Sequence, residues 1–279
     1  LMAAGATAAQ ASRQFFAVTS QPDAAAAQGI PVEHCLPMWP WVGGRFSLWS
    51  PVGLSSAVAI GWEAFSQLLA GAAAMDDHFV SAPPAQNMPL LMSLIEFWNC
   101  SVMGAQNYAV IPYSHALREL PAYLQQLTME SNGKSVNHAG RPLTGHSAPV
   151  LWGAAGSVGQ HSFHQLLHQG TLSCPVDFIL PLRTADGSDD RALRLAANCL
   201  AQSRALMVGR SLEQAQQTLQ SLGLSPEEAT QLAPHLASPG NRSNNVLIMN
   251  KLGAAELGAL LALYEHRTFC SSLLWDINA

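Results

Sequence analysis

Three short segments combine residue types that move protons or hold anions. In Val42-Gly-Gly-Arg-Phe-Ser-Leu-Trp-Ser50, two adjacent glycines let backbone approach a ligand closely and expose N–H groups. Arg45 follows them directly and would stand beside whatever approaches. Ser47 and Ser50 can bond an anion or cap the helix that begins near Pro51. On spacing alone, a tight turn with a surface arginine is the plainer reading. In Met129-Glu-Ser-Asn-Gly-Lys134, Glu130 falls at the end of a predicted helix, and Asn132-Gly133 is a stop signal. A carboxylate there faces the negative end of the helix dipole, which disfavours its ionised form and suits it to carry a proton near neutral pH. Alone, an exposed glutamate under mild strain is the plainer reading. In Gly156-Ser-Val-Gly-Gln-His-Ser-Phe163, the glycines form a loop into a helix N-terminus, where free N–H groups favour anions and disfavour a cationic histidine. His161, His164 and His168 follow i, i+3, i+7 spacing and share one predicted face. That face would pack on a sheet, and no Cys or carboxylate completes a metal set, so structural histidines fit better than a metal centre.

The elements that must position these segments alternate. Apolar runs at 15–20, 30–36, 108–113, 149–152, 176–182 and 245–250 predict strands. Helical spacing covers 24–28, 52–70, 87–103 (capped by Asn87), 114–130, 161–169, 189–207, 211–222, 225–233 and 253–269. Segments 37–50 and 131–148 are Gly-rich loops. Several strands are apolar on both faces. Strands of that kind, alternating with helices, predict a three-layer α/β/α sandwich around a mostly parallel sheet. Ligands of such sheets bind beyond the carboxyl ends of the strands. One domain over 1–279 is the simplest partition.

The chain has 279 residues, a formal net charge of −5, and 49% hydrophobic against 11% charged residues. That is ample material for a core. No basic run is present, so nucleic acid is not an expected partner, and a bound anion must rely on local donors. The apolar stretches near 52–74 and 252–264 are interrupted by polar residues and read as buried helices, so no membrane partner is expected. Five cysteines without a CxxC pair suit a reducing cytosol. Leu1 opens inside an Ala-rich stretch and Ala279 follows an apolar run; both ends read as cuts through structure, so a fragment is expected.

Together the segments resemble one family. Trp41-Val-Gly-Gly-Arg-Phe-Ser-Leu-Trp-Ser-Pro-Val-Gly-Leu54 is similar to the first signature of the glucose-6-phosphate isomerases. Met129–Lys134 resembles their catalytic-glutamate segment, and Gly159-Gln-His-Ser-Phe-His-Gln-Leu-Leu-His-Gln-Gly-Thr171 their catalytic-histidine segment. Leu257–His266, ending in Leu-Tyr-Glu-His, resembles the stretch before their second signature. The resemblance implies sugar-isomerase (SIS) domains, a homodimer in the cytoplasm, no metal or organic cofactor, and a place in glycolysis and gluconeogenesis. It implies interconversion of glucose 6-phosphate and fructose 6-phosphate through an enediolate. Glu130 would be the base moving a proton between C1 and C2, and Arg45 the cation that stabilises the enediolate. His161, donated by the partner subunit, would help open the sugar ring. Gln126 would contact substrate and Gly44 would lie beside it. Residues 1–279 would be a single SIS domain, with the family's phosphate loop upstream and its second signature downstream. Pro40, Val158 and Ser243 depart from the family pattern. Without phosphate contacts, the alternative is a non-catalytic sugar-phosphate-binding or dimerisation domain.

Overall fold

A computed structural model describes residues 2–183, 187 and 189–279. The chain divides into two compact units, one through Ala70 and one spanning Gly71–Ala279. In the first, β1 (Ala17–Thr19) and β2 (Cys35–Pro37) pair in parallel, with Ala17 opposite Cys35. α1 (Ala8–Ser12) starts at a capping box in which Thr7 and Gln10 satisfy each other's backbone N–H groups. α2 (Pro22–Ala27) makes the crossover that a parallel pair requires. The strand expected over 15–20 is shorter, and Phe15 and Phe16 lie outside it, exposed. The helix expected over 52–70 is interrupted at Gly61, whose φ of 84° takes the chain out of the helical region. It becomes α3 (Leu54–Ile60) and α4 (Trp62–Ser81), and α4 continues through Gly71 into the second unit.

The second unit is built on a four-stranded, wholly parallel sheet in the order β4-β3-β5-β6: β3 (Asn107–Pro112), β4 (Val150–Trp152), β5 (Val176–Arg183) and β6 (Asn244–Lys251). Helices follow the strands in turn: α5 (Met88–Phe97) before β3, α6 (Leu120–Gln125) after it, then α7 (Gly156–Gly159), α8 (His164–Gln169), α9 (Asp189–Val208), α10 (Leu212–Ser221), α11 (Pro226–Leu236) and α12 (Ala254–Leu274). Asn87 caps α5 by accepting from Leu90 N at 3.2 Å, as its sequence position predicts. Ser211 and Ser225 open α10 and α11 with capping boxes.

Alternation along the strands separates the two faces of the sheet. Ala109, Ile111, Val176, Phe178 and Leu180 pack with Leu167 of α8 and with Cys199 and Leu206 of α9. Tyr108 and Asp177 face the other way, toward Tyr264 and Arg267 of α12. The expected three layers are therefore present in this unit.

That second face holds a buried charged cluster. Asp177 accepts from Tyr108 Oη (2.9 Å), Asn245 Nδ2 (2.8 Å), Tyr264 Oη (3.1 Å) and Arg267 Nη1 (2.8 Å). Arg267 Nη2 also lies 2.8 Å from Glu96 Oε1 of α5. Burial alone would lower the guanidinium pKa, but Glu96 and Asp177 hold it well above its ordinary value.

Candidate active site

Glu130 ends a π-helical turn, Gln126–Glu130, that continues α6. The helix expected over 114–130 is in three pieces: a 3₁₀ turn at His115–Leu117, α6 and the π turn. Leu124, Leu127, Thr128, Ser131 and Asn132 are buried at helical spacing, which leaves Gln126 and Glu130 together on the exposed face. Gln126 Nε2 donates to Glu130 Oε2 at 2.7 Å. The surrounding backbone is pinned. Lys134 Nζ donates to the Glu130 carbonyl (2.8 Å) and Gly133 N to the Met129 carbonyl (3.0 Å). Leu151 N donates to Met129 Sδ (3.4 Å), and the buried Asn132 amide donates to the Thr268 carbonyl of α12 (3.0 Å). A carboxylate on a fixed turn with a neighbouring amide on one oxygen can take up and return a proton at a defined place.

His161 stands in the turn between α7 and α8, exposed, with its N–H on the Val158 carbonyl at 3.1 Å. The helix expected over 161–169 begins only at His164, so His161 does not share a helical face with His164 and His168. The glycine loop is itself the short helix α7, which places His161 after a helix rather than at the start of one. His164 is buried and stacks on Phe163, and burial holds its imidazole below its ordinary pKa. His168 Nε2 lies 2.7 Å from Gln202 Oε1. Among the described residues, no group of three or more His, Cys, Asp or Glu is placed to hold a metal ion.

The supports of Glu130 and His161 lie at opposite ends of β3. Next to Glu130, Met129 is held by Leu151, the register partner of Tyr108. Next to His161, Gln160 Nε2 donates to the Tyr113 hydroxyl at 2.8 Å. Tyr108 and Tyr113 are separated by roughly 15 Å of extended strand.

Gly44 and Arg45 belong to the first unit, at the start of a 3₁₀ run, Gly44–Trp49. Gly44 has φ 51° and open space where a Cβ would be, so the backbone there is both accessible and suited to glycine. Ser47 Oγ donates to the Gly44 carbonyl (2.7 Å) and Ser50 Oγ to the Ser47 carbonyl (2.7 Å). Ser50 also caps the turn Pro51–Gly53 through Val52 N. Both hydroxyls thus shape the loop that carries Arg45. The sequence marks Asn132 only as part of a helix stop and gives Lys134 no role; nothing local signals that the Asn132 side chain is buried against α12 or that Lys134 bonds the Glu130 carbonyl.

All 279 residues match the profile of one family, Phosphoglucose isomerase. The chain is 52% identical over 270 residues to the glucose-6-phosphate isomerase of Ectopseudomonas mendocina, covering 97% of this chain and 49% of that protein. It is 50% identical over 268 residues to that of Hahella chejuensis, covering 96% and 48%. A crystal structure of a glucose-6-phosphate isomerase from Chlamydia trachomatis superposes with a TM-score of 0.76 at 34% identity, over 92% of this chain and 51% of that one. The chain therefore spans about half the length of the curated relatives it matches.

Proposed function

The chain belongs to the phosphoglucose isomerase family, and from that membership we propose that it supplies the proton-transfer part of an aldose–ketose isomerase acting on glucose 6-phosphate and fructose 6-phosphate. The observation that carries the reading is the Glu130 turn: an exposed carboxylate on a pinned backbone, with Gln126 on Oε2. Glu130 takes the proton from one of the two adjacent sugar carbons and returns it to the other. A positioned carboxylate avoids the entropic cost of recruiting a base, and general-base catalysis of this kind contributes roughly 10²–10⁴-fold. Arg45, on its open glycine turn, stabilises the enediolate, where a fixed cation meets charge that develops only during reaction. Gly44 lies beside the substrate, Gln126 contacts it, and His161 assists ring opening.

In this reading residues 1–279 form one SIS domain, and two copies make a homodimer in which His161 serves its partner's site. The separate anchoring of Glu130 and His161 at the two ends of β3 supports that arrangement. The chemistry needs no metal or organic cofactor. A cytoplasmic setting, in glycolysis and gluconeogenesis, is supported by five free cysteines. Three of them, Cys100, Cys174 and Cys199, are pushed up to about 12 by burial. No helix among the described residues is long and apolar enough to cross a membrane.

The test is a chimera in which this chain replaces the matching half of the Ectopseudomonas mendocina relative. Glu130→Gln in that chimera lowers kcat by about two orders of magnitude or more with little change in KM. A kcat near that of the unsubstituted chimera sinks the role given to Glu130.

A further inference from the structure

We propose that Asn132 is a positioning residue for the isomerisation, tethering the Glu130 turn to α12; the proposal rests on Glu130 acting as the base. The buried stripe Leu124, Leu127, Thr128, Ser131, Asn132 would be completed equally well by an apolar side chain. Asn132 is instead 0% exposed, with Nδ2 donating to the Thr268 carbonyl at 3.0 Å and Oδ1 buried without a partner. Thr268 lies within α12, where its carbonyl already belongs to the helix ladder. The side chain thus forms one hydrogen bond to an acceptor that did not need it, and leaves a buried acceptor of its own unpaired. Such a group stabilises the fold less than a leucine of similar volume would.

What the amide adds is direction. Lys134 on the Glu130 carbonyl and Gly133 on the Met129 carbonyl act from within four residues, so they fix the shape of the turn and not its place on the protein. Met129 reaches Leu151 through a flexible thioether. Asn132 joins the turn to a 21-residue helix that is itself bonded to the sheet through Arg267. Proton transfer falls steeply when the base is displaced by an ångström. Loss of the tether therefore acts on turnover and leaves folding intact.

Asn132→Leu separates this role from a structural one. In the isolated chain, the amides of residues 129–134 exchange with solvent about tenfold faster or more, while the melting temperature stays level or rises. In the chimera, kcat falls by about tenfold or more with KM within about twofold. Asn132→Ala, which cannot overfill the site, gives the same loss of kcat in its folded fraction. Parent-like exchange and kcat, or a loss of activity that merely follows a lowered melting temperature, overturns the proposal. If the unsubstituted chimera does not isomerise, the activity reading falls, and the exchange rates alone decide the tether.

Discussion

Replacing Arg267 by methionine preserves most of the side-chain volume and removes one charge. Arg267 is 2% exposed, and its two carboxylate partners, Glu96 and Asp177, are each 0% exposed. One cation against two anions leaves the cluster at −1; without the cation it stands at −2. Removing one partner of a buried pair costs roughly 3–5 kcal/mol. Here two carboxylates lose a partner, but Tyr108, Asn245 and Tyr264 remain on Asp177 and Ser271 remains on Glu96. The expected loss is therefore about 4 kcal/mol, a large share of the roughly 5–15 kcal/mol that holds a folded domain. With a slope of about 3 kcal/mol per molar, the urea midpoint at neutral pH falls by roughly 1.3 M. Adding Glu96→Gln returns the cluster to −1, so the double variant recovers about 1–2 kcal/mol relative to Arg267→Met alone. A single-variant loss below about 1 kcal/mol, or a double variant less stable than the single, refutes a charged and coupled cluster.

Two further perturbations probe the supports of the proposed site. For His164, burial outweighs the Gly159 carbonyl, which favours the cation, and sets the folded pKa below the ordinary 6.5. The unfolded chain binds the proton first, so this contribution is complete above about pH 6.5 and is lost as the pH falls below it. His164→Phe flattens the dependence, which urea midpoints on either side of that pH will reveal; parallel profiles count against the assignment. Gly153 has φ 159°, and a Cβ there would lie 1.9 Å from the Val110 carbonyl oxygen. Gly153→Ala is expected to cost about 3 kcal/mol, read as a lowered melting temperature, because backbone on both sides leaves no flexible group to yield.

The parts of the fold that were legible in sequence are those whose signal is local. β3 and β5 read as buried strands because a strand covered on both faces is apolar throughout. Asn87 announces a helix start through side-chain chemistry that acts within three residues. Glycine marks a position without saying which use it serves. Gly61 and Gly71 lie in one apolar run, yet Gly61 breaks the helix while Gly71 stays inside it, where a Cβ would lie 1.8 Å from the Ala255 carbonyl oxygen. That contact comes from a residue far along the chain, and no window around Gly71 contains it. The same holds for the charged cluster: Asp177 sits in an apolar strand, and its partners come from β3, β6 and α12.

The candidate site depends on that non-local part. Arg267 and Thr268 are consecutive in α12. Arg267 reaches Asp177 in the middle of the sheet and Glu96 in α5, and Thr268 receives the Asn132 amide. Apolar side chains at those positions would pack α12 at least as stably, but a purely apolar contact tolerates a small slide or rotation of the helix. Opposite charges bonded at fixed angles resist both. A one-residue turn of α12 would carry the Thr268 carbonyl about 100° around the helix axis and away from Asn132. The buried charges thus hold the register of α12 on the sheet. α12 in turn holds the Asn132 amide, and that amide ties the turn carrying Glu130 to the sheet.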